Sequence, residues 1–229
     1  PWARRVAALL LLAGLGLAGG AAAQPAAVTV DSFSPQGEVR RVQQMAIRFS
    51  QDMVALGQAD APAPVQVDCS PSPEVSRRWV DTRRWVAEFK QPLPVGTRCS
   101  VRLQPGLRSL AGGPVQANEA WTFSTGGPKV TWQHPYPGQP LTEQPVFLLV
   151  ADAPLAPASL GAALRCRVNE QTLLSVTLLE AAEARSRWRA VRGDDRFEAD
   201  RTVALRCAEP LPALAGVQLV WGRGVTTPQ

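Results

Sequence analysis

The sequence predicts an all-β protein made of two antiparallel β-sandwiches in tandem, behind an N-terminal signal peptide. Three observations carry this prediction: short runs of alternating polar and apolar residues, turn clusters between the runs, and two pairs of cysteines placed alike in the two halves. The 229 residues are enough for one or two domains with a real core. The 21 prolines and 18 glycines are too many and too evenly scattered for a helical bundle.

Residues 1–23 are predicted to be a secretory signal peptide. Two arginines form its positive start, an apolar run follows at 6–20, and Ala21 and Ala23 fit the small-residue cleavage signal. The apolar run is short for a transmembrane helix, and no cysteine lies near the cut to carry a lipid. We therefore expect a periplasmic protein that is not a lipoprotein and makes peripheral or no contact with a membrane.

The strand periodicity predicts which side chains face the core. In the run at 42–49 the set of Gln43, Met45, Ile47 and Phe49 is mostly apolar and is predicted to face the core. The run at 83–89 places Trp85, Ala87 and Phe89 on one face. The run at 98–105 places Cys99, Val101 and Leu103 together. This spacing of short strands is typical of an Ig-like sandwich.

The stretch SRRWVDTRRWV at 76–86 interleaves arginine with tryptophan, as nucleic-acid-binding surfaces do. Asp81 and Thr82 are turn residues, however, which favours a β-hairpin. Trp79 and Trp85 would then lie opposite each other, with the arginines on the outer face. Without the arginines of the signal peptide, the net charge falls from +5 to +3, which is mild for a polyanion partner. We expect no nucleic acid partner, with a basic and aromatic binding surface as the alternative.

The four cysteines are predicted to form two disulfides, Cys69 with Cys99 and Cys166 with Cys207. An even number of cysteines in an exported chain is typical of disulfides, and these two pairs keep each bond within one half. Two other connectivities remain open. A zinc site is disfavoured because the chain has no Cys-x-x-Cys motif and a single histidine.

The two halves look like a weak internal repeat of about 100 residues. Each has an apolar strand followed by an aspartate, then a cysteine, an Arg-Cys strand and a Leu-Ala-Gly turn. We place the first domain at 28–127 and the second at 128–229, and expect the second to be truncated at its end. The proline-rich segment 126–145 contains a linker and an irregular first strand. The segment 172–191 is ambiguous between strands and one short helix, and 192–201 looks like a hairpin turn.

No motif marks a catalytic, cofactor or metal site. His134, the only ordinary general base near neutral pH, lies between turn residues, and no G-x-S-x-G motif supplies a nucleophile. Four carboxylates in one loop lack EF-hand spacing and are interrupted by arginine; they are Asp194, Asp195, Glu198 and Asp200. The glycines at 105–114 are not in a strand–loop–helix phosphate site. We therefore expect that this chain is not an enzyme and holds no cofactor or metal.

Five segments together resemble bacterial alpha-2-macroglobulins. They are VDSFSPQGEVRRVQQMAIRFSQDMV (30–54), RRWVDTRRWVAEFKQPLPVGTRCSVRLQPGLRSLAG (77–112), WTFSTGGPKV (121–130), QPVFLLVADAP (144–154) and LVWGRGV (219–225). The first unit is also similar to the SbsA-type bacterial Ig-like domain, a broader and less specific label. The combination of the tryptophan hairpin with LPxGxxC and FSTGGP carries the resemblance.

The resemblance implies two macroglobulin-like Ig sandwiches from the N-terminal region of a much longer periplasmic inhibitor. That family traps proteases of broad specificity: cleavage of a bait region triggers rearrangement around the attacker, and some members add a Cys-x-Glu-Gln thioester. None of the four cysteines here is followed by x-Glu-Gln, and no bait region is present. The chain would therefore be a structural fragment. Its implied partners are the other domains of the parent chain and, through the parent, proteases.

A hypothesis from another class is a free-standing exported Ig-like module that binds glycan or protein of the cell envelope. Six tryptophans lie outside the signal peptide. Trp132 and Trp188 are the least explained by core packing. An exposed aromatic cluster would support this second hypothesis.

Overall fold

The computed structural model describes residues 25–116 and 120–228, so the predicted signal peptide lies outside the described residues. The first half has strands β1 (Val30–Ser34), β2 (Gly37–Glu38), β3 (Gln44–Phe49), β4 (Val65–Ser70), β5 (Val75–Trp79), β6 (Arg84–Phe89), β7 (Arg98–Leu103) and β8 (Ala120–Ser124). The second half has β9 (Val130–His134), β10 (Phe147–Ala151), α1 (Pro157–Ala163), β11 (Leu164–Val168), β12 (Thr172–Leu174), β13 (Val176–Leu178), α2 (Ala181–Arg192), β14 (Thr202–Cys207) and β15 (Val217–Trp221). The predicted all-β class is confirmed.

The first half forms a sandwich of two four-stranded sheets, ordered β1-β3-β6-β5 and β2-β8-β7-β4. All neighbouring strands are antiparallel except the short pair β2 and β8. One hydrophobic core joins both sheets, and its largest fully buried side chains include Trp85, Phe49 and Met45 from one sheet and Val101 from the other. The alternation predicted along β3 and β7 is the alternation of burial in the structure.

The second half packs the sheet β13-β14-β10-β9 against the three-stranded sheet β12-β11-β15. Phe147, Leu149 and Leu205 belong to the core between these sheets. Leu148 and Ala204 point the other way, because successive side chains of a strand face opposite sides of the sheet, and they pack with Ala184 of α2. Helix α2 therefore covers the outer face of this sheet, which most sandwiches leave to solvent.

Both predicted disulfides are present. Cys69 and Cys99 lie directly opposite each other on neighbouring strands β4 and β7, with a Cα–Cα distance of 4.1 Å. Cys166 and Cys207 join β11 to β14 and so connect the two facing sheets of the second sandwich. Disulfides of this kind persist in an oxidising compartment, as expected for an exported protein. Among the described residues, no helix is long and apolar enough to cross a membrane.

Two local predictions need correction. The ambiguous segment does contain a helix, α2, but the chain at 193–201 is a loop that leads from α2 to β14 rather than a hairpin turn. Helix α1 was not predicted. It begins with Pro157 in its first turn, a position that proline favours because its missing N–H would be unpaired there anyway. Val86 lies on the outer face of β6 and is nevertheless fully buried.

Replacing Cys166 and Cys207 together by alanine should lower the free energy of unfolding by about 2–4 kcal/mol, because the unfolded chain loses a closed loop. Urea denaturation measures this change. Alanine at Cys69 and Cys99 is the matched control: the two loops span 41 and 30 residues, so the two losses should agree within about 1 kcal/mol. Unchanged stability in either double variant would contradict the assignment of that bond.

Candidate functional site

An aromatic cluster lies on the outer face of the sheet β13-β14-β10-β9, beside α2. We define the aromatic cluster as Trp132, His134, Tyr136, Trp188 and Phe197, whose rings lie within 5.6–6.3 Å of one another in a connected series. It contains the only histidine and the only tyrosine of the chain. The aromatic cluster is therefore the densest concentration of rings on this sandwich among the described residues.

Strand β9 supplies one row of the cluster. Trp132 and His134 alternate with Gln133, so they project from the same face, and Tyr136 follows just beyond the strand. The rings of Trp132 and His134 are nearly parallel, with centroids 6.3 Å apart, and the Tyr136 ring meets both edge-on. Nε1 of Trp132 donates a hydrogen bond to Oη of Tyr136 at 3.2 Å. Because β9 is an edge strand, this row lies at the margin of the sheet.

The turn after β9 holds Tyr136 in position. Its backbone N–H donates to Oε1 of Gln139 at 2.8 Å, and the N–H of Gln139 donates back to the carbonyl oxygen of Tyr136. Gly138 has φ of +85°, a conformation that glycine adopts without strain. The Tyr136 side chain is half exposed, at 50%. Its ring is thus both fixed and accessible.

Helix α2 supplies the second part of the cluster. Trp188 is 6% exposed and lies one turn from Ala184, on the face of α2 that meets the sheet. Its ring contacts Trp132 at 5.6 Å and Phe197 at 6.1 Å between centroids, both in edge-to-face geometry. Pairs of this geometry add a modest stabilisation beyond the area that they bury.

The loop after α2 is turned back onto the helix. Gly193 ends the helix in the left-handed conformation, with φ of 70°. Oδ1 of Asp194 then accepts hydrogen bonds from Nε1 of Trp188 at 2.8 Å and from the backbone N–H of Arg196 at 3.1 Å. These donors, followed by the positive charges of Arg192 and Arg196, lower the pKa of Asp194 below its ordinary value.

Two arginines lie over the rings. The Cζ atom of Arg192 is 5.3 Å from the ring centroid of Trp132 and 5.4 Å from that of Trp188. The Cζ atom of Arg185 is 5.2 Å from the ring centroid of Phe197. Both arginines are exposed, and neither forms a salt bridge with any residue in the described part of the chain. Their guanidinium groups are oriented by cation–π contact instead.

This arrangement is suited to binding rather than to proton transfer. The neighbours of the His134 ring are the rings of Trp132 and Tyr136, and its Nδ1 atom is buried with no hydrogen-bond partner among the described residues. The flat rings and the guanidinium groups above them offer apolar contact next to positive charge. A ligand that combines an apolar face with negative charge would be complementary to such a surface.

The structure separates the other residues that the sequence analysis singled out. Trp79 and Trp85 face each other across the hairpin of β5 and β6 and are 5% and 0% exposed, so neither offers a stacking platform. Oδ1 of Asp81 accepts hydrogen bonds from the backbone N–H groups of Arg83 and Arg84, both at 2.7 Å, which closes the turn. This hairpin is part of the core of the first sandwich.

The loop carboxylates do not converge on a metal position. Asp195 pairs with Arg189, and Glu198 pairs with Arg201. Within 25–116 and 120–228, no group of three or more histidine, cysteine or acidic side chains is placed to hold a metal ion. Two acidic residues of this loop instead pair with one arginine of α2 and with one just before β14.

A surface groove borders the aromatic cluster on the other side of β9. Its volume is about 860 Å³, and it lies between the loop at 135–143 and the segment at 211–220. Tyr136 lines this groove and also belongs to the aromatic cluster. Arg167 of β11 lines the groove as well. The groove extends the accessible surface around Tyr136.

Sequence reasoning found only part of this cluster. It singled out Trp132 and Trp188, and it considered His134 as a base. It missed Tyr136, Phe197 and the two arginines that lie over the rings. The available signal was the alternation of aromatic residues in WQHPY, within a segment that was interpreted as a linker and an irregular strand.

Comparisons with known proteins find fold-level likenesses of low similarity. No family model and no curated protein matches the chain. An L,D-transpeptidase from Mycobacterium tuberculosis H37Rv is 16% identical, with 66% of this chain and 59% of that chain covered and a TM-score of 0.31. The MG0-NIE-MG1 part of native alpha-2-macroglobulin from Escherichia coli is 13% identical, with coverages of 86% and 61% and a TM-score of 0.30.

The N-terminal part of the bacterial S-layer protein SbsC is 8% identical, with 89% of this chain and 44% of that chain covered and a TM-score of 0.30. In each of these three matches, this chain spans less than two thirds of the solved structure. At such values the likenesses assign neither a family nor an activity.

Replacing Asp194 by asparagine should lower the thermal midpoint near neutral pH, because Trp188 and Arg196 lose a charged acceptor. The folded-state pKa of Asp194 lies below 3.8, so its stabilising effect is present above pH 3.8 and is lost as pH falls through the lowered value. The difference in thermal midpoint between wild type and variant should therefore shrink in acid. Thermal unfolding followed by circular dichroism, near neutral pH and again in acid, would measure it. Asp195→Asn, on an exposed ion pair, is the control, and a drop of equal size there would contradict the special role of Asp194.

Proposed function

We propose that this chain is a structural segment of a longer exported protein, in which a rigid pair of Ig-like sandwiches holds other domains in place. The parent is a periplasmic protease inhibitor of the alpha-2-macroglobulin type, as the resemblance of the five sequence segments implies. In this proposal the segment is not an enzyme. Its direct partners are neighbouring domains of the parent, and proteases are engaged through the parent. The junction between the two sandwiches carries the proposal.

An ion pair crosses this junction. Arg40 of the first sandwich donates to Oδ2 of Asp152, which follows β10 in the second sandwich, at 3.1 Å. The same guanidinium donates to the carbonyl oxygen of Gly127 in the connection between them. Oδ1 of Asp152 accepts from the backbone N–H of Lys129 at 2.8 Å. The two side chains are 26% and 31% exposed, so the pair is partly shielded from solvent and worth more than a fully exposed one.

The connection itself is held from both sides. The carbonyl oxygen of Gly126 accepts from the N–H of Gly96 at 2.8 Å, and that of Pro128 accepts from Nε1 of Trp221 at 2.9 Å. Gly127 packs so closely on Val225 that an added Cβ would lie 2.6 Å from its carbonyl oxygen. A short connection with these bonds differs from a flexible glycine and serine linker. It supports a tandem that moves as one body.

Rigidity is what a scaffold segment contributes to a trapping protein. When domains rearrange around a protease, a stiff tandem transmits the displacement of one neighbour to the other instead of absorbing it in a hinge. Independent domain motion is the default for weakly joined domains. The bonds of Arg40 and of the connection support the opposite behaviour here. Both disulfides fit the oxidising periplasm that the proposal requires.

The size of the native product tests the scaffold function. An antibody raised against residues 28–126 should detect, in the periplasm of the source cell, a band several times larger than this chain. Blotting after fractionation is the measurement, with a cytoplasmic marker as the control for leakage. A single band at the size of the mature chain would refute the proposal, because such a chain has no neighbouring domains to hold.

Replacing Arg40 by alanine should loosen the junction without unfolding either sandwich. Losing a contact worth about 1 kcal/mol raises the open population roughly fivefold. Limited proteolysis should therefore cut at 125–129 about fivefold faster, and small-angle scattering should show a wider distribution of shapes. Arg48→Ala, on an exposed position of β3 in the first sandwich, is the matched control. Equal cleavage rates in wild type and Arg40→Ala would contradict the importance of this ion pair.

A further inference from the structure

We propose that the aromatic cluster, with Arg185 and Arg192, is a binding site for an acidic saccharide whose sugar rings carry carboxylate groups. The site would attach the protein to a charged glycan of the cell envelope. It is a function beyond the scaffold role and does not depend on it. Three features of the cluster support it: the partly exposed row of rings along and just after β9, the arginines over the rings, and the O–H of Tyr136.

The row of rings goes beyond what packing of α2 needs. Ala184 of α2 already packs on Leu148 and Ala204 at the outer face of the sheet, and of the row only Trp132 packs against them. Trp132, His134 and Tyr136 extend from there to the free margin of the edge strand, and Tyr136 stays 50% exposed. An exposed tyrosine that is fixed by its own turn costs little conformational entropy when a ligand binds. This is the geometry of a contact surface.

The rings match the apolar face of a sugar. A pyranose presents C–H groups on its flat faces, and polarised C–H groups are attracted to the electron-rich face of an aromatic ring. Oη of Tyr136 accepts from Nε1 of Trp132, which leaves its O–H free to donate to a ligand oxygen.

The arginines match carboxylate groups. The Cζ atom of Arg192 lies 5.3 and 5.4 Å from the ring centroids of Trp132 and Trp188, so its guanidinium is held at the rings, where it can bind a carboxylate. Arg185 lies seven residues earlier on α2, on the same face and about 10 Å away along the axis. Two charges at this spacing favour a ligand with more than one acidic sugar.

Nearby acidic groups reduce this charge only in part, because Asp194 interacts with the charge of Arg192 but forms no ion pair with it among the described residues. Asp194 uses one oxygen for Trp188 and Arg196, and Asp195 is paired with Arg189. The remaining positive charge at the rings is that of Arg185 and Arg192. A neutral saccharide would use only the rings, whereas an acidic one uses both parts of the surface.

Two glycans that share a backbone test the proposal. The acidic probe is a soluble β-1,4 glycan of alternating N-acetylglucosamine and N-acetylmuramic acid, without peptides, in which each muramic acid carries a carboxylate. The neutral probe is an N-acetylglucosamine tetramer. Calorimetry on the full mature chain should show about tenfold tighter binding of the acidic probe. Tryptophan fluorescence should change on binding, and the change should be largely lost in Trp132→Phe.

Matched variants separate the two parts of the site. Arg192→Gln should reduce affinity for the acidic glycan about tenfold and leave the neutral one unchanged. Tyr136→Ala should weaken both probes about tenfold, as loss of one stacking ring does, while Tyr136→Phe keeps most of the binding and checks folding. Arg102→Gln, an exposed arginine on β7 of the first sandwich, removes the same charge elsewhere and should change nothing.

Several outcomes would overturn the proposal. If neither glycan binds, the aromatic cluster is not a glycan-binding site. Equal affinity for the two glycans, together with an unchanged Arg192→Gln variant, would exclude a role for carboxylates. A loss in Arg102→Gln as large as in Arg192→Gln would indicate non-specific attraction to a basic protein. The size of the native product leaves all of these results unaffected, so the scaffold function fails or stands separately.

Discussion

The constraint on which the second sandwich depends is that strand β10 buries both of its faces. Phe147 and Leu149 face the core between the sheets, while Leu148 faces helix α2. A strand covered on both sides has a continuous apolar sequence, as β10 does. The helix is needed because Leu148 and Ala204 would otherwise be exposed on the outer face, and α2 packs Ala184 against them.

The same strand positions both functional regions. At its end, Asp152 ties the second sandwich to Arg40 and to the backbone of the connection. Along its side, β10 pairs with β9 and so sets the position of Trp132 and His134 beside α2. The junction and the aromatic cluster thus both depend on one buried element.

Charge in this region is organised by pairing. The loop after α2 brings Asp194 and Asp195 back to the helix, where they bind Trp188 and Arg189. Arg192 instead lies over two tryptophan rings. A long arginine stem and planar head group allow this stacking, which a lysine would not reproduce. The helix therefore presents one arginine that is paired with an aspartate and two that lie over aromatic rings.

The sequence by itself determined the strand class, the core alternation of β3 and β7, the two disulfides and the turn at Asp81, because these depend on periodicity, residue type and local turn chemistry. Only the tertiary structure decided that Trp132, Arg192 and Trp188 meet, that Arg40 reaches Asp152, and that α2 covers a sheet. Most of these contacts join residues that are far apart in the chain, so a local sequence pattern does not predict them. The cluster and the junction exist because folding brings such residues together around buried strands.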